Sequence, residues 1–188
     1  MARFLRGVIV VAGTCGVLLA ARHSSAELLV TFQAPHVVRA PAATLEDDFA
    51  QSIDALLGAA QVGSVDDLLH LSLDVTGRDL HFGLDHVTTL RFGAKDREGN
   101  CIEYAHLFAT VFNRGAKQKH VAAHAYVVHS DARVLGKKLP GRGLGDHDWV
   151  LVVPSAPGEK RLFVDPTFHD LGLDWDVSKS VVGPVRTP

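Results

Sequence analysis

Residues 100–115 read NCIEYAHLFATVFNRG, and this run decides the fold class. Asn100 is a good N-cap because its side-chain oxygen can accept from the unsatisfied amides of a first helical turn. Glu103, three residues on, completes a capping box. Cys101, Ala105, Phe108 and Phe112 then recur along one apolar stripe at helical spacing. Gly115 supplies a stop, so the spacing predicts a helix that opens at Cys101 and ends there. A cysteine in the first turn stands where free N–H groups and the helix dipole favour thiolate, the nucleophilic form. Taken alone, it reads equally well as a buried structural thiol.

Downstream the period changes. Residues 121–130 (VAAHAYVVHS), 149–154 (WVLVVP) and 161–168 (RLFVDPTF) are short β-branched or aromatic runs between turn-forming residues. The connection at 136–145, GKKLPGRGLG, holds four glycines and a proline and reads as a mobile surface loop. Upstream, Thr44 with Asp47 three later opens a helical pattern carried by Leu45, Phe49, Ile53, Leu56, Leu57 and Ala60. Ser64 with Asp67 opens a second one over VDDLLHLSL, so two helices are expected before residue 74. Residues 79–92 read as strand or helix, and 93–99 as a polar turn. Helices followed by antiparallel-looking strands make an α+β pattern. Residues 27–43, with Pro35 and Pro41, read as a strand-like or loose lead-in, and residues 44–188 as one domain.

The amino terminus has its own logic. Arg3 and Arg6 precede an uncharged, mostly apolar stretch at 8–21, and Ser24 and Ala26 supply small residues before a cleavage after Ala26. This is the layout of a secretory signal peptide over residues 1–26, with export to the periplasm or outside the cell as its consequence. A membrane span needs about 20 apolar residues, so an uncleaved anchor is the weaker alternative. A lipoprotein at Cys15 is weaker still, because the apolar run continues well past it. Cleavage removes Arg3, Arg6 and Arg22, lowering Lys+Arg from 19 to 16 against 21 Asp+Glu, a net charge of −5. Such a chain has no basic footprint for nucleic acid and no attraction to an anionic membrane surface. Of the two cysteines only Cys101 remains, too few for a disulfide framework or a thiolate zinc site.

A thiol nucleophile needs a base, and the base needs an orienting acceptor. His147 in GDHDWVLVV lies where the Gly-rich loop enters a strand, and Asp165 lies where a strand ends against Pro166. If the two runs pair as antiparallel neighbours, both side chains project from one end of the sheet towards Cys101. The alternatives are an exposed loop histidine and a turn-forming aspartate before proline. His120, His124 and His129 could hold zinc, but no acidic third ligand falls at helpful spacing, so polar strand histidines are the preferred reading. His106 and His169 read as surface or cap residues, with pocket lining as the alternative. GRGLG lacks the following helix and Lys-Ser pair of a phosphate cradle, and its place before His147 suits a lid.

At these residues the chain resembles a known family. GNCIEYAHLF, HDWVLVV and FVDPTF are similar to the three core motifs of the transglutaminase-like superfamily, over residues 93–170. The resemblance implies a papain-like α+β core with the nucleophile helix packed on an antiparallel sheet. It implies Cys101 as nucleophile, His147 as general base and acid, and Asp165 as the group that orients His147. The implied activity is acyl transfer at amides of a peptide or protein substrate through a thioester; the residues themselves offer no metal-ligand set and no cofactor motif. Many cross-linking members carry a tryptophan upstream of the nucleophile. Here the tryptophans are Trp149 and Trp175, which favours hydrolysis over amine cross-linking. Protein-glutamine transamidation and an inactive transglutaminase-like binding module are the alternatives.

Overall fold

The computed structural model describes residues 29–84, 87–93, 97–138, 145–156 and 158–186. The expected signal peptide lies outside the described residues, as do residues 139–144 of the Gly-rich connection, on which a lid would depend. In chain order the elements are β1 (Val30–Arg39), β2 (Thr44–Leu45), α1 (Asp47–Ala59), α2 (Val65–Asp79) and β3 (Leu80–Phe82). Then follow β4 (Arg91–Phe92), β5 (Arg97–Gly99), α3 (Cys101–Lys119), β6 (Ala123–Val134), β7 (Asp146–Pro154), β8 (Leu162–Val164), α4 (Pro166–Asp170) and β9 (Val181–Val182).

The architecture is α+β. A five-stranded sheet runs β8-β7-β6-β1-β9, and β2 with β4 and β3 with β5 form two-stranded parallel pairs. β1, β6, β7 and β8 are antiparallel neighbours, but β9 lies parallel to β1, so the sheet is mixed rather than antiparallel. The cause is the return of the chain after α4, which brings the Ser180 carbonyl to the Phe32 amide at 2.8 Å. Strand alternation gives the sheet two apolar faces. Ala125, Val127, Val150, Val152 and Val164 meet the three long helices, while Phe32, Val128, Trp149 and Leu151 meet Val177 on the other side. Among the described residues no helix is long and apolar enough to cross a membrane.

Several local expectations change. The stretch read as a lead-in contains β1, an inner strand of the main sheet. Pro35 is tolerated there because the register shifts between Gln33 and Val37, so that its missing N–H interrupts no ladder bond. Thr44 does not cap α1. Its amide and that of Glu46 donate to Leu90 and Phe92 carbonyls, both at 2.8 Å, which holds 44–46 extended and makes Glu46 the N-cap. Ser64 does cap α2, accepting from the Asp67 amide at 3.1 Å. That helix runs on to Asp79 because the Ser72 and Thr76 hydroxyls bond back to the carbonyls four residues earlier, at 2.7 Å each, and so can be buried.

Gly115 is not a stop. α3 continues to Lys119 and ends at His120, whose backbone adopts the left-handed conformation at φ 56°. The glycine is used for close approach instead: a Cβ there would stand 2.5 Å from Leu68 Cδ1 and 3.0 Å from Leu57 Cδ2. We therefore expect Gly115→Ala to destabilise the fold by about 1–3 kcal/mol in urea denaturation, the cost of overpacking, although alanine is the better helix former.

Candidate active site

The start of α3 is braced from both sides. The Asn100 Oδ1 accepts from the Ile102 and Glu103 amides at 3.0 and 3.4 Å, and the Asn100 amide donates to Glu103 Oε2 at 3.0 Å, as the capping box requires. Asn100 Nδ2 donates to Thr88 Oγ1 at 2.7 Å. The buried Glu103 also accepts from the Thr89 amide at 3.1 Å and pairs with Arg97 at 3.2 Å. The Tyr104 amide bonds to the Asn100 carbonyl. The Cys101 N–H is thus the first-turn donor that has no partner among the described residues. It is positioned to receive negative charge beside its own sulfur. Cys101 is a free, partly exposed thiol.

His147 and Asp165 come from the expected places. β7 and β8 pair with Val150 opposite Val164, which carries His147 and Asp165 to the same end and the same face of the sheet. His147 Nε2 lies 2.6 Å from Asp165 Oδ2. Asp165, fully buried, is also the N-cap of α4, and its Oδ1 accepts from the Thr167 and Phe168 amides at 3.0 and 3.1 Å. Three donors therefore fix one carboxylate, and the carboxylate fixes the ring. The Cys101 sulfur is the second group that acts on the imidazole, and like Asp165 it raises the ring's pKa. With Nε2 committed to Asp165, Nδ1 is the ring nitrogen left for sulfur.

The electrostatics favour the imidazolium. Burial of the ring, which is 13% exposed, would lower its pKa. The negative charge of Asp165, the Cys101 sulfur and hydrogen bonds to both outweigh burial and raise His147 well above the ordinary histidine value.

Two aromatic residues that sequence reasoning did not single out complete the surroundings. Phe32 of β1 stacks on the His147 ring, with centroids 5.0 Å apart and planes 7° from parallel, and Phe168 lies 5.7 Å away at 40°. Phe168 stands in the FVDPTF run itself, and the apolar LLVTF ending at Phe32 was the available signal for a buried strand.

The other histidines have separate structural partners. His120 ends α3, His124 packs edge-on against Tyr126 at 4.6 Å, and His129 Nδ1 lies 2.6 Å from Asp148 Oδ1. Among the described residues no group of three His, Cys, Asp or Glu side chains is arranged to hold a metal ion. His106 is buried rather than at the surface. Its Nδ1 accepts from the Ala42 amide at 2.9 Å, and burial, with help from the Arg39 charge, lowers its pKa and keeps it neutral in that role. His169 is a partly exposed residue of α4. A cleft lined by polar residues such as Ser64, Lys119 and Lys160 and by apolar ones such as Val62, Val121 and Leu162 lies at the other ends of α3 and β7. At 1.5 Å per residue, the length of α3 sets it roughly 27 Å from Cys101, too far to share this site. No family model, curated protein or solved structure matches the chain.

Proposed function

We propose that the protein is an exported cysteine acyl-transfer enzyme with a transglutaminase-like, papain-type core that acts on amide bonds of peptides or proteins. The observation that carries this reading is the His147 imidazole, held at 2.6 Å by a buried carboxylate on one side and partnered by a helix-start thiol on the other. A nucleophile, a base and an orienting acceptor are the parts that covalent acyl transfer needs. The Arg3/Arg6, apolar and small-residue pattern of residues 1–26 supports export.

The steps follow from the placement. The Cys101 thiolate attacks the amide carbon, and the displaced electron pair moves to the carbonyl oxygen, which meets the Cys101 N–H. The tetrahedral species collapses as the His147 imidazolium gives its Nδ1 proton to the leaving amine, breaking the C–N bond and leaving a thioester. Water, deprotonated by the now neutral His147, attacks the thioester and releases a carboxylic acid. The thiolate and the imidazolium are regenerated together. Hydrolysis is preferred to cross-linking because no tryptophan precedes Cys101 among residues 27–100.

The test offers the protein glutamine-containing peptides together with a labelled primary amine. Ammonia or peptide release without amine incorporation, and an acyl adduct on Cys101 in acid-quenched intact mass, are expected. Cys101→Ala should lose both. Turnover that survives Cys101→Ala would overturn the acyl-transfer reading, and amine incorporation exceeding hydrolysis would turn it into a transamidase.

A further inference from the structure

We propose that Phe32 is a positioning residue for the site, a rigid aromatic platform whose face holds the His147 imidazolium in the plane that joins Asp165 to Cys101. This rests on the acyl-transfer reading and adds to it a residue from outside the three motifs.

Three ring distances decide the arrangement. His147 is 5.0 Å from Phe32 and 5.7 Å from Phe168, while Phe32 and Phe168 are 6.1 Å apart. The rings form a triangle, so the imidazole is not sandwiched. Only Phe32, at 7°, presents its face to the imidazole; Phe168 is tilted by 40°. A cation within about 6 Å of an aromatic face is attracted by the negative face of the ring quadrupole, and more strongly when water is excluded. Neutral imidazole lacks that attraction. Parallel stacking also leaves the ring edge free, so both nitrogens keep their in-plane partners.

The platform cannot easily yield. Phe32 is 1% exposed, and its backbone is paired on both sides, opposite Ala132 of β6 and Val181 of β9. Its ring rests in turn near Trp149, at 6.4 Å, whose Nε1 donates to Ser130 Oγ at 2.9 Å. The titratable groups acting on His147 are Asp165, from the β8–α4 junction, and Cys101, from α3. The neighbouring strands contribute Phe32 and Ser130, which do not titrate, and His36 of β1, which is bonded to Ser130 Oγ at 2.8 Å and lies against Trp149. The stack therefore supplies a non-ionic preference for the charged ring, separate from the carboxylate.

The experiment replaces Phe32 in the full chain by mono-, di- and pentafluorinated phenylalanine, which weakens the ring face while keeping its shape. Two readouts are taken: the protonation midpoint of the His147 ring by NMR, and the pH profile of Cys101 alkylation by iodoacetamide. The midpoint should fall stepwise with fluorination. Alkylation at pH 8 should drop about two- to threefold at the pentafluoro end, within the roughly fourfold that a thiol of ordinary pKa, about 8.5, allows at that pH. Phe32→Tyr should keep the wild-type profile and Phe32→Leu should not. A midpoint that stays constant across the folded fluorinated series would overturn the proposal, since packing alone is unchanged there. If that series is flat while His147→Ala still suppresses alkylation, the Phe32 role alone fails. If His147→Ala leaves alkylation unchanged, the acyl-transfer reading fails, and the NMR midpoints still decide the stack.

Discussion

Alkylation of Cys101 by iodoacetamide at pH 6 is expected to slow about a hundredfold when His147 is replaced by alanine. An ordinary thiol, with a pKa of about 8.5, is only about 0.3% thiolate at that pH, and thiolate is the reacting form. A cation in contact with a sulfur favours that form. Burial works against a charged ring, but the Asp165 carboxylate and the sulfur itself raise the His147 pKa well above the ordinary value. The cationic partner is therefore present through neutral pH and disappears only as pH rises through that raised value. Removing it returns Cys101 to the helix start alone, where the dipole contributes much less than a full charge in contact. By pH 9 the two rates should differ only a few-fold, because an ordinary thiol is then largely ionised. Equal rates at pH 6 would mean that His147 does not act on Cys101.

Asp165→Ala is expected to be the most destabilising single change at the site, by about 3–5 kcal/mol in urea denaturation. The side chain is fully buried and accepts from three groups, the His147 ring and the Thr167 and Phe168 amides. Truncation leaves all three without an acceptor, and a buried charged ring without its counter-charge. Asp165→Asn separates these losses. Asparagine is as good an N-cap, so α4 keeps its two amide bonds and the cost should fall to about 1–3 kcal/mol. The pH dependence has a definite sign. Because the folded His147 pKa is raised, the stability that its ion pair contributes is fully present below the unfolded value of about 6.5. It is lost as pH rises through the folded value. The gap between wild type and Asp165→Asn should therefore be widest near pH 5.5 and narrow towards pH 9, and a gap that widens with pH would contradict the assignment. Asp165→Asn should also slow Cys101 alkylation near neutral pH, since only the Cys101 sulfur then offsets the burial of the ring.

Much of the candidate site was legible because its parts are local. The Asn100–Glu103 box depends on residues three apart, and it forms with both reciprocal bonds. The Asp165 cap needs only the amides two and three residues ahead of it and a proline that suits the first helical position. The β6, β7 and β8 runs alternate or are continuously apolar at strand length, and their turn residues force sequential antiparallel pairing.

Where the reading of the chain missed, local preference met a distant partner. Thr44 has the right chemistry for a cap, yet strand β4, nearly fifty residues on, takes the neighbouring amides. Gly115 has the right chemistry for a stop, yet Leu57 and Leu68 require the space a side chain would fill. The second helix is expected to end before residue 74, yet it runs on to Asp79, where the buried Ser72 and Thr76 hydroxyls find acceptors within their own helix.

By itself, then, the amino-acid sequence determined that Cys101 opens a capped helix, that His147 enters a strand and that Asp165 leaves one. Those outcomes follow from hydrogen bonds and periodicities closed within a few residues. Only the tertiary structure decided that His147 meets Asp165, that β1 lies inside the sheet and that Phe32 stacks on the His147 ring. These are contacts between segments far apart in the chain. Their geometry is set by sheet register and close packing, which no short window of residues contains.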